Sequence, residues 1–150
     1  MVHMDCKKNV DVILAEWQTC VEMANSVSQR RDSMNNIFVT LNLAVITAVS
    51  FTWNIKSLFI LLAGALICVI WIFSIRNYKM LNQEKFKVIN KIEKELPVMP
   101  FNEEWSLLKM NKKYMDGTMI ETFIPIIFIG LYIIAIIVVI YCKFKSNGGV

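Results

Sequence analysis

The sequence predicts an all-α integral membrane protein with three transmembrane helices and long amphipathic helices outside the bilayer. Two observations carry this. Residues 37–53, 58–75 and 123–142 contain no charged side chain, and their 17, 18 and 20 residues rise about 25–30 Å at roughly 1.5 Å each, close to the hydrocarbon thickness of a bilayer. The chain of 150 residues is also 56% hydrophobic and only 19% charged, with a mean hydropathy of +0.50, whereas a soluble domain carries about 25% charged residues. Too little polar chain remains to cover three such helices as the core of a soluble fold.

Residues 1–36 read as an amphipathic N-terminal segment. Val10, Leu14, Trp17, Val21 and Ala24 recur at steps of four and three on one helical stripe. Asp11 and Glu16 come early and Arg30 and Arg31 late, which suits the dipole of a helix over residues 9–32. The polar face carries Asp11, Glu16 and Glu22 rather than lysines, so packing against protein is favoured over lying on lipid. No basic segment, apolar core and small-residue cleavage site opens the chain, so the N-terminus is expected to stay and fold.

The first span, residues 37–53, is the least apolar. Asn36, Thr40, Asn42, Thr47, Ser50 and Thr52 lie in or beside it. Asn36, Thr40 and Thr47 fall near one face and Asn42 points elsewhere. A polar group in hydrocarbon needs a partner, so interhelical hydrogen bonding and pore lining are both open to these residues. Asn54, Ile55, Lys56 and Ser57 form a tight turn that makes an antiparallel hairpin of residues 37–75. The second span, residues 58–75, is nearly all aliphatic and is expected to face lipid along much of its surface. Gly64 and Ala65 allow close helix approach, and Trp71 with Arg30, Arg31 and Arg76 marks the membrane interface.

In the region 76–122, Tyr78, Leu81, Phe86, Ile89, Ile92 and Leu96 continue at helical spacing until Pro97. The second span is therefore expected to run on as one helix to about Leu96, its apolar stripe covered by the N-terminal helix, a neighbouring subunit or both. Trp17, Val21, Tyr78, Phe86, Ile89, Ile92 and Trp105 are the oligomer-packing candidates. Pro97 and Pro100 enforce an extended connector. Asn102 is expected to cap a short helix with Trp105 and Leu108 on its inner face, and residues 112–117 form a polar loop. A capping box at Thr118 and Glu121, or a cap at Thr122 with Pro125 in the first turn, opens the third span, residues 123–142. Residues 143–150 are a short tail.

Charge gives the orientation. Four Lys or Arg precede the first span and nine lie between the second and third, against Lys56, Lys143 and Lys145 on the other side. Basic loops stay with the cytoplasm, which predicts N-terminus in and C-terminus out. In residues 76–122 seven acids offset the nine positive groups, so the surface is a solvated one with some attraction to anionic lipid. It is not a nucleic-acid groove.

Chemistry-bearing constellations are missing. Cys6, Cys20, Cys68 and Cys142 are scattered and the only histidine is His3, so no metal or cofactor is implied and the thiols read as small hydrophobes. Glu103 and Glu104 project about 100° apart on a helix and form no dyad. No span holds an ionisable residue. An enzyme is not expected.

Several stretches resemble a known family: EMANSVSQRRD at 22–32, NIFVTLN at 36–42, RNYKMLNQEKFKVI at 76–89 and IEKELP at 92–97. Pro100, Phe101, Glu104, Trp105, Thr118, Glu121, Pro125, Leu131 and Tyr132 complete the pattern. Over residues 20–135 the chain is similar to the RipA family of small bacterial membrane proteins, described as octameric. The loop at 110–117 is shorter and poorer in glycine than that pattern. The resemblance implies a homo-octamer in the bacterial inner membrane and supplies no reaction. A looser resemblance, in layout only, is to small helical-hairpin membrane effectors of bacterial conflict systems. The expectations are thus a homo-oligomeric scaffold, with itself, lipids and an unidentified cytoplasmic protein as partners. The alternative is a pore or permeability effector, in stress response or anti-phage defence, lined by Asn36, Thr40 and Thr47.

Overall fold

The computed structural model describes residues 2–51, 54, 56–111 and 116–147, with side chains between residues 9 and 145 of these. Four helices follow in order: α1 (Val2–Phe51), α2 (Ser57–Glu93), α3 (Pro100–Met110) and α4 (Gly117–Asn147). No strand occurs among the described residues. Helices α1, α2 and α4 are each long and apolar enough to cross a membrane, α1 the least apolar of the three.

The expected N-terminal helix and first span are one uninterrupted helix. Residues 2–51 contain neither glycine nor proline, so nothing removes a ladder hydrogen bond, and each added residue extends the helix at little cost. Arg30 and Arg31 consequently sit in mid-helix, and the last turn of α1 carries no basic residue. Their dipole role falls away. Thr52 and Ile55 lie outside the described residues. Between α1 and α2 the Asn54 side chain accepts from the Lys56 N–H at 2.8 Å, the Asn54 carbonyl accepts from the Ser57 N–H at 3.0 Å, and the Ser57 hydroxyl accepts from the Asn54 N–H at 3.0 Å. These bonds close the turn and cap the start of α2.

Helix α2 runs on beyond its apolar stretch, as the periodicity predicts, and ends at Glu93. Leu96 lies just past the end. There the Glu95 and Leu96 N–H groups donate to the Ile92 and Glu93 carbonyls at 3.0 Å each, the tightened last turn that satisfies terminal carbonyls. Helix α4 starts at Gly117, earlier than either expected cap. Thr118 and Thr122 lie inside it, the Thr122 hydroxyl donates to the Thr118 carbonyl at 2.7 Å, and Pro125 is a buried interior residue rather than a first-turn one. Packing around the ring outweighs the one hydrogen bond proline removes.

The chain divides into two compact units, Met1–Arg31 with Asn77–Asp116 and Asp32–Arg76 with Gly117–Val150. The divisions fall at Arg31 and Arg76, between the charged segments and the uncharged stretches of the sequence. In the charged unit Ala24, Val27 and Ile89 are buried and Trp17, Val21, Tyr78, Phe86 and Ile92 are half-buried. Ile89 is wholly enclosed by its own chain, so it belongs to the unit's core and not to a subunit contact. Val10, Leu14 and Leu81 are exposed, because the covered part of each stripe is shorter than the stripe itself. Lys79 and Asp116 pair at 2.6 Å.

In the apolar unit Val49, Leu61, Cys68, Tyr132 and Val139 form one buried cluster drawn from α1, α2 and α4, flanked by Val45, Ile46, Ala65, Phe128 and Ile136. Helix α2 turns Leu61, Cys68, Trp71 and Ile75 into this packing and leaves Phe59, Leu66 and Phe73 outside. With only 28% of its most apolar stretch buried within the chain, α2 leaves much of its surface free to meet lipid, as expected.

Candidate functional site

The spans are joined by polar groups that the chain brings together from distant positions. Asn42 of α1 is fully buried. Its amide N–H donates to the Phe38 carbonyl one turn back at 2.8 Å. Its Oδ1 accepts from the Tyr132 hydroxyl of α4 at 2.7 Å and from the Cys68 thiol of α2 at 3.0 Å. One amide thus links three helices through hydrogen bonds made where water cannot substitute.

Gly64, one turn from Cys68, makes room for this node. A Cβ added there would lie 2.7 Å from the Tyr132 ring and 2.9 Å from Val45. Adjacent to it, Trp71 stacks on Phe38 with centroids 5.5 Å apart and planes 7° from parallel, and meets Phe128 at 6.4 Å. Its Nε1–H donates to Asn35 Oδ1 at 2.8 Å. Trp71 is 1% exposed. It does not present its ring to headgroups, because the indole N–H finds a protein acceptor instead. Asn35 was not singled out by the sequence reading, although a buried tryptophan's need for an acceptor is the signal that finds it.

Four other polar residues in or beside the first span point away from the chain. Asn36, Thr40, Thr47 and Ser50 are all exposed. The hydroxyls of Thr40, Thr47 and Ser50 donate to the Asn36, Leu43 and Ile46 carbonyls at 2.8–2.9 Å. That leaves their lone pairs facing outward and the donors satisfied by their own helix. Asn42 is set apart from this face, as its angular position predicts.

The charged unit contains a second buried polar centre. Glu93, fully buried at the end of α2, accepts from the Phe101 N–H at 3.0 Å and the Asn102 N–H at 3.2 Å. Pro100 occupies the first helical position, Met99 makes no side-chain cap, and the next two N–H groups are the ones Glu93 takes. A carboxylate here satisfies orphan donors and complements the helix dipole. Glu93, not Asn102, is the cap of α3. The Phe101 ring then lies between Trp17 and Phe86, each with its centroid 5.7 Å away. Trp105 is 48% exposed with the Lys109 ammonium 5.5 Å from its ring centroid, so it lines no inner face; α3 buries no residue at all.

Replacing Asn42 with Leu is expected to lower the stability of the helix assembly by about 1–2 kcal/mol, since interhelical hydrogen bonds in membranes average about 0.6 and reach roughly 1.7 kcal/mol each. Thermal unfolding in detergent measures it. Adding Tyr132→Phe to Asn42→Leu should cost little more, because the hydroxyl has already lost its close acceptor and keeps only the residue 42 carbonyl at 3.4 Å.

A model of the Octameric membrane protein family (8xMP) matches residues 14–141. No curated protein and no solved structure matches the chain.

Proposed function

We propose, from the premise that this chain belongs to the octameric membrane protein family, that it is a non-enzymatic scaffold assembled from eight copies of itself. In this reading the protein sits in a bacterial inner membrane with its N-terminus and the charged unit in the cytoplasm and its C-terminus outside. The finer likeness to the RipA family is part of the same reading. The observation that carries it is the surface of the charged unit. Val12, Met23, Met80, Val88, Leu107 and Met110 are each half exposed or more on a unit too rich in charge to enter hydrocarbon, and apolar area of that extent is normally covered by another protein surface. Neighbouring copies supply that cover, and the assembled cytoplasmic faces present a docking surface to a protein partner.

A second reading, a pore, is favoured by one observation. Asn36, Thr40, Thr47 and Ser50 form an outward polar face along α1, and eight such faces around an axis would line an uncharged, hydroxyl-rich lumen. Reconstitution separates the two. Liposomes holding the purified octamer should retain an entrapped ion indicator if the protein is a scaffold. Ion flux that falls when Thr40 and Thr47 are both changed to Leu would overturn that and establish the pore.

A further inference from the structure

Unit by unit, the outer faces of α1 and α2 carry opposite charge. Residues 9–29 contain Asp11, Glu16 and Glu22 and no Lys or Arg. All three acids are exposed, and none has an ion-pair partner among the described residues. On α2 and the residue after it the exposed charges between residues 83 and 94 are Lys87, Lys91 and Lys94 against Glu84. Glu93 is turned inward to the N–H groups of α3. Lys87 and Glu84 pair at 2.5 Å, both about 70% exposed, and such a pair is weak enough to rearrange.

Each face also carries two exposed apolar residues in a row of heptad-spaced positions. On α1, Val12, Glu16, Thr19 and Met23 step by four, three and four. On α2, Leu81, Glu84, Val88 and Lys91 step by three, four and three. Val12, Met23, Leu81 and Val88 are all close to half exposed, so each face offers two apolar contacts with charged residues between or beside them.

Symmetry decides what these faces meet. All copies of a membrane protein share one orientation in the bilayer, which rules out two-fold axes lying in the membrane plane. Eight copies then form a cyclic ring, and each contact in such a ring joins two different faces. Rotation about an axis normal to the membrane also preserves height, so a side chain can meet only groups at its own level on the next copy. Trp17 and Phe86 both pack on the Phe101 ring, which puts Glu16 and Lys87, their chain neighbours, at one level of the unit.

Resting on the octameric reading above, we propose that the ring closes in the charged unit through the acidic face of α1 on one copy against the basic face of α2 on the next. Glu16 meets Lys87 and Asp11 meets Lys91, with Val12 and Met23 seated against Leu81 and Val88. The α1 and α2 faces of one protomer are thus the two halves of one interface.

The test uses the full-length protein in lipid nanodiscs, read by native mass spectrometry. Asp11→Lys with Glu16→Lys makes the α1 side of the contact positive like the α2 side, and Lys87→Glu with Lys91→Glu makes the α2 side negative like the α1 side. Each variant alone is expected to lose at least nine-tenths of its octamer. Co-expressed, the two should assemble into octamers holding four of each, because every contact then pairs opposite charges. Recovery on mixing also shows that both variants fold. Octamers that persist in each variant alone, or dispersal that mixing does not repair, overturn the interface while leaving the octameric reading standing. A wild-type chain that is not octameric in the same nanodiscs overturns that reading, and the interface with it.

Discussion

Gly64→Ala is expected to destabilise the packing of the three spans by about 1–3 kcal/mol, the usual cost of forcing extra volume into a filled core. The new methyl would lie 2.7 Å from a Tyr132 ring atom and 2.9 Å from Val45, distances at which something must move. Tyr132 yields poorly, because its hydroxyl is held by Asn42 Oδ1 at 2.7 Å and the ring is 1% exposed. Movement that relieves the clash breaks the hydrogen bond, so the two costs add. Gly64→Leu should prevent the helices from closing at all. Gly130→Ala is the internal control. Nothing lies within 4 Å of its added Cβ, and alanine gains up to about 1 kcal/mol of helix propensity over glycine. Thermal unfolding of the detergent-solubilised protein should show Gly64→Ala lowering the midpoint and Gly130→Ala leaving it unchanged or raising it. Equal effects of the two would show that close approach at Gly64 does not hold the spans together.

The second large effect is expected at Glu93. Replacing it with Ala removes two charge-assisted hydrogen bonds, each worth about 1.5–3 kcal/mol, from the part-buried Phe101 and Asn102 N–H groups. A loss of about 3–6 kcal/mol in the charged unit is the upper bound, less whatever water restores to the freed N–H groups. It should appear as release of α3, since Pro100 and Met99 offer no substitute cap and α3 buries no residue of its own. The contact of Phe101 with Trp17 and Phe86 goes with it. Hydrogen exchange at the Phe101 and Asn102 amides should accelerate at least tenfold, and Glu93→Gln, which keeps one acceptor oxygen, should fall between. Unchanged exchange in the Ala variant would show that α3 is held by its side chains and not by its cap.

Helix type and extent were read well wherever periodicity was local. The stripe from Trp17 to Ala24 and the run from Tyr78 to Ile92 have their apolar positions three or four residues apart, so neighbours in sequence are neighbours in space. The errors lie at the ends of elements. Caps at Asn102, Thr118 and Thr122 follow from residue type, yet the real cap of α3 is a carboxylate at the end of another helix. The true start of α4 leaves Pro125 in its interior. Residue type states what a side chain can accept or donate, and a competing partner brought in by packing decides which it does.

Composition and pattern alone determined that lipid hosts this chain, because three uncharged stretches of bilayer length leave no other solvent for them, and that the second span runs on as one helix beyond its apolar stretch. Tertiary structure decided which polar residues are tied and which are offered. Asn42 meets Cys68 and Tyr132, 26 and 90 residues away, while Thr40 and Thr47, of similar polarity in the same span, face outward. The reason is geometric: a hydrogen bond between helices depends on how close two backbones can come, and only the packed fold, through Gly64, sets that distance.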